Sequence, residues 1–503
     1  MAEIISNSLH WVLDDRRNFP FCTQNGVAYG WSIRFIVLRL HAKFLAMRLY
    51  RLRAVRLVAS FTLVFLFFHI LRSYHEEPRL WQHNRHVPAP ACPESPLLND
   101  VLVIVRTGAT EVLEKLPVHF STVLACVPDY IIYSDLEEDI DGHHVVDVLD
   151  RVAGNIRMNV PEFWLYNRLR ASGREQLEYK TLFGSGPAGA LDNPGWKLDK
   201  WKFLPMVSRA LEHRPNAKWF VFIEPDTYLL WQNMLSYLSK FDATKPYYLG
   251  KYMWIGQVLF GHGGSGFMIS NPAMRMVSKH WTENQDWFDE YTAKEWAGDM
   301  ILGKAMENVG VHLVSASPHV QIDSLSTVEW TNNRHDKPDW CYSPVTFHHM
   351  TSPDISSLWK FENDWIQHSA ANTGPRLRDI FESLILPRLQ SEVTSWDNQC
   401  KGTEYSNEAF EALSAEDKAT ITQAERDAQA SFENCKIAYS RCVEYSHEED
   451  RCIRMRDGDD LEVSSENTSS VKSGWIMSRI SEAMEEMDNK CGTLKENDWA
   501  TGS

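Results

Sequence analysis

Lys218-Trp-Phe-Val-Phe-Ile-Glu-Pro-Asp-Thr-Tyr228 is an apolar run that ends abruptly in two carboxylates one residue apart. Trp219 to Ile223 are aromatic and β-branched types, and such an uninterrupted run suits a strand in a sheet covered on both faces. Pro225 ends the ladder because it has no N–H to donate. Glu224 and Asp226 are thereby left at the carboxyl end of a strand, where α/β sheets bind ligands. Two carboxylates so close repel unless a cation or proton lies between them. A hard divalent metal holding phosphates is one partner for such oxygens. A helix cap or turn is the competing reading of the same four residues.

Upstream, Val101-Leu-Val-Ile-Val105 reads as a strand, a helical pattern follows through Leu113, Leu116 and Phe120, and Tyr130-Ile-Ile-Tyr133 reads as a second strand. This is a βαβ unit. Its loops, at Thr107-Gly108 and Ser134-Asp135, emerge on the side of Glu224 and Asp226, where a nucleotide can sit. Trp196 to Leu204 begins a helix that leads to the central strand, and Lys200 on it is a candidate for the nucleotide, although a lone lysine is more often a solvated charge.

Downstream come a helix over Met234 to Phe241, a short strand over Tyr247 to Gly250, and the run Gly261-His-Gly-Gly-Ser-Gly266. These glycines satisfy G-x-G-x-x-G but lead into a strand, Phe267-Met-Ile-Ser270, rather than opening a helix, which excludes a dinucleotide fingerprint. They suit a backbone loop that approaches a sugar closely, with Gly264 in its middle. Trp296 to Val309 reads as a helix with Asp299 in its first turn, where the helix dipole favours an acid for structural reasons too. Thr346-Phe-His-His349 supplies a histidine pair that can complete a metal site or lie on the surface.

The chain has 503 residues and a formal net charge of -16, which argues against nucleic-acid binding. Residues 1–56 carry nine Lys/Arg against three Asp/Glu, whereas residues 400–503 carry twelve against twenty-three. The basic segment leads into Leu57 to Leu71, an uncharged run between Arg56 and Arg72. That is short for a span, which takes about 20 apolar residues, but snorkelling arginines and a thin bilayer bring about 17 within range. The basic flank puts the N-terminus in the cytoplasm. The expected layout is a cytoplasmic tail (1–56), a signal anchor (57–74), a proline-bearing stem (75–97), a globular domain (98–390) and an acidic, cysteine-containing helical region (391–503).

Eight cysteines lie beyond the anchor, an even count that suits disulfides in an oxidising compartment. Cys92 precedes the first strand and Cys126 the second, so a bridge is feasible at about 5.5 Å between Cα atoms. Asn467-Thr-Ser is a glycosylation sequon usable only in a lumen. In the tail, Ala412 to Cys442 reads as an amphipathic helix, 457–473 as a polar loop and Trp475 to Met487 as a second helix.

The ordered motifs Lys218 to Tyr228, Tyr248-Leu-Gly250, Gly263-Gly-Ser-Gly-Phe-Met-Ile-Ser270, Gly298-Asp-Met-Ile-Leu-Gly303 and Thr346-Phe-His348 resemble glycosyltransferase family 31, nearest its Fringe and core-1 β1,3-galactosyltransferase branch. The resemblance covers roughly residues 98 to 365. It implies an α/β fold of GT-A type, a single Rossmann-like nucleotide-sugar-binding domain with a mixed sheet flanked by helices. It also implies a UDP-sugar donor, Mn²⁺, a glycan or glycoprotein acceptor and inversion at the anomeric carbon.

By position, Asp226 matches the last acid of the family's D-x-D and would ligate the metal. Glu224 replaces its first Asp, and Pro225 stands where many members have Asp. His348 matches the metal histidine, with His349 beside it. Asp299 matches the presumed base, with Gly303 in register and Gly298 where the family usually has Glu. Thr107, Gly108, Ser134, Asp135, Lys200, Glu224 and Gly264 would contact the nucleotide-sugar. The resemblance further implies a single-pass protein of the Golgi or ER membrane with a lumenal catalytic domain, and leaves a homodimer open. A non-catalytic chaperone or glycan-binding relative is the alternative.

Overall fold

A computed structural model describes residues 90–177, 193–331, 337–368, 373–395, 403–431, 434–435, 444–448, 451–454, 471–491 and 499–501. The tail 1–56, the anchor 57–74, most of the stem and Asn467 lie outside the described residues. No helix among the described residues is long and apolar enough to cross a membrane.

Among the described residues, twelve strands organise the region expected to be globular. They are β1 (Val101–Arg106), β2 (Tyr130–Ser134), β3 (Glu138–Ile140), β4 (His143–Asp147), β5 (Trp219–Ile223), β6 (Tyr228–Leu229), β7 (Tyr248–Gly250), β8 (Tyr252–Ile255), β9 (Val258–Gly261), β10 (Phe267–Ser270), β11 (Leu313–Ser315) and β12 (Thr346–Phe347). Eight form one sheet in the order β11-β7-β10-β5-β1-β2-β4-β3. β5, β1, β2 and β4 run parallel to one another, while β10 is antiparallel to both β5 and β7 and β3 is antiparallel to β4. This is the mixed α/β sheet that the GT-A expectation requires.

The period-2 rule explains why the central run is apolar throughout. Phe220 and Phe222 face a core with Leu102, Ile104 and the helix Phe203–His213. Trp219, Val221 and Ile223 face a second core with Val101, Val103 and the helix Trp231–Leu238. Both faces are therefore covered by helices, and all five residues of β5 are buried. The Cys92–Cys126 disulfide forms, with 5.2 Å between Cα atoms.

The helix expected from Trp196 is broken in two, Pro194–Asp199 and Phe203–His213. The first opens as an N-cap: the Asn193 side chain accepts from the Gly195 N–H, with Pro194 at the first helical position.

The C-terminal region departs from the helical expectation. It contains a five-stranded antiparallel sheet, ordered β13 (Val393–Thr394), β17 (Lys472–Trp475), β15 (Glu444–Glu448), β16 (Arg451–Arg454) and β14 (Thr403–Tyr405). The span read as one amphipathic helix from Ala412 instead begins with the short helices Ala415–Thr420 and Gln423–Asp427, each capped by a Ser or Thr side chain. Those hydroxyl residues start new helices rather than continue one. Only the last helix, Met477–Cys491, matches the reading.

The tail is not peripheral. Trp475, Ile480, Met487 and Cys491 share a buried core with Tyr228, Leu230, Trp330, Trp340 and Phe347. A disulfide joins Cys341 to Cys491, Cys435 is also disulfide-bonded, and Trp340 Nε1 donates to Asp488 at 2.8 Å.

Candidate active site

Strand register brings the acids and the histidines together. β6 pairs antiparallel with β12, placing Tyr228 opposite Phe347 and Leu229 opposite Thr346. Asp226, two residues before Tyr228, therefore meets His348, one residue after Phe347, and the Met350 N–H closes the turn on the Asp226 carbonyl at 2.9 Å. Asp226 Oδ1 lies 3.4 Å from His348 Nε2, and Glu224 Oε2 lies 3.9 Å from the same nitrogen. His349 adopts a left-handed backbone with φ of 54°, uncommon outside glycine, and this turn sets its ring 3.8 Å from that of His348.

Asp226, His348 and His349 each offer a ligand atom within 4.8 Å of the others. Asp226 Oδ1 is buried and makes no hydrogen bond within the usual geometry, its contact with His348 Nε2 being an ion pair at 3.4 Å, and a buried carboxylate oxygen favours a cation. The donor set, one carboxylate with two imidazoles, suits Mn²⁺ better than Ca²⁺, which seldom takes nitrogen. The residues present thus fit a divalent transition metal.

Two cations that sequence reasoning missed already sit on these acids. Lys115 Nζ lies 2.9 Å from Asp226 Oδ2 and 3.1 Å from Glu111. Arg106, the last residue of β1, pairs with both Asp199 and Glu224 and packs its guanidinium 4.4 Å over the Phe203 ring. Arg106 was findable, because a cation ending a buried parallel strand points to the same edge as Glu224. Lys115, in a one-turn helix (Val112–Lys115), reads as an ordinary surface lysine.

The electrostatics follow from burial and neighbours. Burial pushes the Asp226 carboxyl up, but His348 and Lys115 outweigh it and hold it well below the usual range. Glu224 goes the other way: burial and the nearby Asp226 charge raise it despite Arg106. Burial disfavours charge on His348, yet Asp226 and Glu224 raise it overall. His349 is lowered to about 4 by burial and by His348.

The glycine run packs directly against the segments that carry Asp226 and His348. Thr227 Oγ1 donates to the Gly264 carbonyl at 2.6 Å and Thr346 Oγ1 to the Ser265 carbonyl at 2.7 Å. A Cβ on Gly264 would fall 2.2 Å from His348 Cε1, so only glycine allows this backbone against the imidazole. Gly266 needs its φ of 83° to turn the loop into β10.

Asp299 stands in the first turn of the helix Gly298–Asn308. Its Oδ2 accepts from the Gly263 N–H and its Oδ1 from the Met300 N–H, both at 2.9 Å. Burial raises this carboxyl above the ordinary aspartate value, although both N–H groups and Arg106 oppose the shift. Desolvation thus outweighs the groups that favour the ionised form.

Arg106, Gly108, Lys115, Lys200, Glu224, Asp226, Gly264, Asp299, His348 and His349 all line one cavity of about 520 Å³, in the range of small-molecule sites. Thr107, Ser134 and Asp135 lie beneath its floor instead. Asp135 Oδ1 accepts from the Ala109 N–H at 2.7 Å and its Oδ2 lies 3.7 Å from Lys202 Nζ, while Lys202 donates to the Thr107 carbonyl at 2.7 Å. Ser134 Oγ donates to Asp135. Lys200 reaches the cavity wall, but its ammonium is held by Glu162 at 2.9 Å and the Glu295 carbonyl at 2.8 Å.

Residues 199–365 match a family model described as Fringe-like. Among solved structures, a glycosyltransferase involved in the glycosylation of the major capsid of PBCV-1 matches 52% of this chain and 99% of its own, at 10% identity and a TM-score of 0.22. A likeness that low carries no weight for fold or chemistry.

Proposed function

Because the chain carries a Fringe-like glycosyltransferase domain, we propose that it moves a hexose, of galactose type and in β1,3 linkage, from a UDP-sugar to a hydroxyl of a glycan or glycoprotein, with inversion and with Mn²⁺. The observation behind this reading is that Asp226, His348 and Asp299 open onto the same cavity.

In the proposed reaction the acceptor oxygen forms a bond to the anomeric carbon as the bond from that carbon to the diphosphate oxygen breaks. The hydroxyl proton passes to Asp299, and UDP leaves with the electron pair. A base must be ionised yet basic enough to take a proton, and burial makes the Asp299 carboxyl more basic than an ordinary aspartate. The Gly263 and Met300 N–H groups hold its oxygens in place. Asp226 and His348, with His349 beside them, would hold the metal, which when bound offsets charge on the diphosphate. Arg106 and Lys115 supply fixed positive charge on the same wall.

A second reading, a non-catalytic glycan-binding or chaperone relative, has one observation in its favour. Arg106 and Lys115 already pair with Glu224 and Asp226. A panel of UDP-sugars tested for Mn²⁺-dependent hydrolysis decides between the two. Turnover of one donor, abolished by EDTA, supports the enzyme. No hydrolysis with any donor or divalent metal leaves the second reading.

The basic flank, the apolar run at 57–71 and the sequon at Asn467 support a type II protein of the Golgi or ER. Protease added to sealed microsomes should then spare everything beyond about residue 75, the point where a span of about 20 residues would end. Digestion of residues 98–390 in intact vesicles would remove that assignment.

A further inference from the structure

The mouth of the cavity is unlike its floor. Trp196, Trp254 and Trp296 line it with 41%, 60% and 59% of their surface exposed. Leaving this much indole in water is unfavourable for folding alone, and clustered exposed apolar area marks a binding surface. The Trp196 and Trp296 rings lie 6.2 Å apart and tilted by 28°. Trp254 projects from the exposed face of the hairpin β8–β9. The other face of that hairpin, Met253 and Ile255, packs on Phe260, Ala297 and Met300, so the hairpin is anchored while its tryptophan stays free.

Position points to the occupant. Trp296 precedes Asp299 by three residues, and Ala297 is the N-cap of the helix that carries Asp299. The charged side chains Arg106, Lys115, Glu224 and Asp226 belong to the floor. A ligand that stacks on the mouth and also presents a hydroxyl toward Asp299 has one apolar face and many hydroxyls. A pyranose ring fits that description: its axial C–H face packs on the electron-rich indole face.

We propose that Trp254 and Trp296, backed by Trp196, form a stacking platform for a sugar ring of the acceptor, orienting it toward Asp299. This rests on the transferase reading, which it deepens by assigning the acceptor's position to these three side chains.

The test is binding by saturation-transfer NMR, using the full chain in detergent with methyl glycosides of galactose, mannose, glucose and N-acetylgalactosamine. The probes lack aromatic groups, so any stacking comes from the sugar. At least one glycoside is expected to bind, with affinity falling about tenfold in Trp254→Ala and in Trp296→Ala, and the loss falling on the glycoside rather than on UDP. Both rings are exposed, so unchanged thermal melts are the folding control.

Failure of every glycoside to bind the wild type overturns the proposal, as does binding that survives the double variant. So does a loss confined to UDP, which would make the platform a seat for the uracil base. Glycoside binding at the tryptophans in a protein that hydrolyses no UDP-sugar would instead sink the transferase reading and leave the platform standing.

Discussion

Asp299→Asn separates proton transfer from loop support. The carboxylate uses one oxygen for the Gly263 N–H and the other for the Met300 N–H. Asparagine has a single carbonyl oxygen, so its NH₂ must confront one of those donors. A buried donor left without a partner costs about 1–3 kcal/mol, and through Gly263 that cost appears as weaker ordering of the glycine loop. Loss of the base itself lowers kcat by about 10²–10⁴-fold. Since 1.4 kcal/mol is a factor of about ten, donor KM should rise by about tenfold while kcat falls far more.

The pH profile supplies an independent readout. Burial raises the Asp299 carboxyl, and a base acts only when ionised. Wild-type kcat/KM should therefore climb with pH through a value above that of an ordinary aspartate, and this acid limb should vanish in the variant. Steady-state transfer kinetics between pH 4 and 8 measure both effects. Full turnover by Asp299→Asn, or lost donor binding with kcat intact, would refute the assignment and leave Asp299 as a brace for the glycine loop.

Asp226→Ala should abolish UDP-sugar binding in the presence of Mn²⁺, and unchanged affinity by calorimetry with and without EDTA would remove Asp226 from the metal site. Gly264→Ala should mimic the loss of His348, because its Cβ would fall 2.2 Å from that ring; Mn²⁺ affinity by electron paramagnetic resonance should drop, and overpacking at this buried contact should also cost about 1–3 kcal/mol of stability. Glu362 is 1% exposed, accepts from the Tyr228 hydroxyl at 2.6 Å and is raised by burial from 4.5 to about 7. For an acid raised on folding, the folded state takes up a proton between the two values, so stability should fall as pH rises from 4.5 to 7 and then level off. At 1.36 kcal/mol per pKa unit, Glu362→Gln should stabilise the protein by up to about 3 kcal/mol at pH 8 and by nothing at pH 4; denaturant melts at the two pH values that showed equal effects would contradict this.

The elements that position the site could be read from sequence because short-range patterns dictate them. Trp219–Ile223 and Phe267–Ser270 are the strands observed, each an uninterrupted apolar run closed by a proline or an N-cap. The pairing of Asp226 with His348 was visible only through resemblance, since the two-residue strands β6 and β12 have no periodicity to detect. Arg106 and Lys115 were missed because a charge pattern along the chain does not show which acids a folded neighbour delivers. Lys200 was aimed at the nucleotide, yet Glu162 and the Glu295 carbonyl hold it through contacts that the local sequence does not encode. The five-stranded C-terminal sheet was missed because Glu444-Tyr-Ser-His-Glu448 and Arg451-Cys-Ile-Arg454 are short and polar, so tertiary pairing overrides their weak propensity.

The core shared by the tail and β6 bears on how the chain can be divided. Family likeness stops at residue 365, but Trp475, Ile480, Met487 and Cys491 share a core with Tyr228, Leu230 and Phe347 of the β6–β12 region beside the candidate site. The Ala500 N–H donates to His319 Nε2 at 2.9 Å, and the His319 carbonyl accepts from the Val345 N–H at the approach to β12. A fragment cut at the edge of the family likeness would therefore expose the inner side of the β6–β12 strand pair that sets Asp226 against His348. Unit of homology and unit of folding are different lengths of this chain, and damage in the acidic tail is expected to surface as a defect in metal binding.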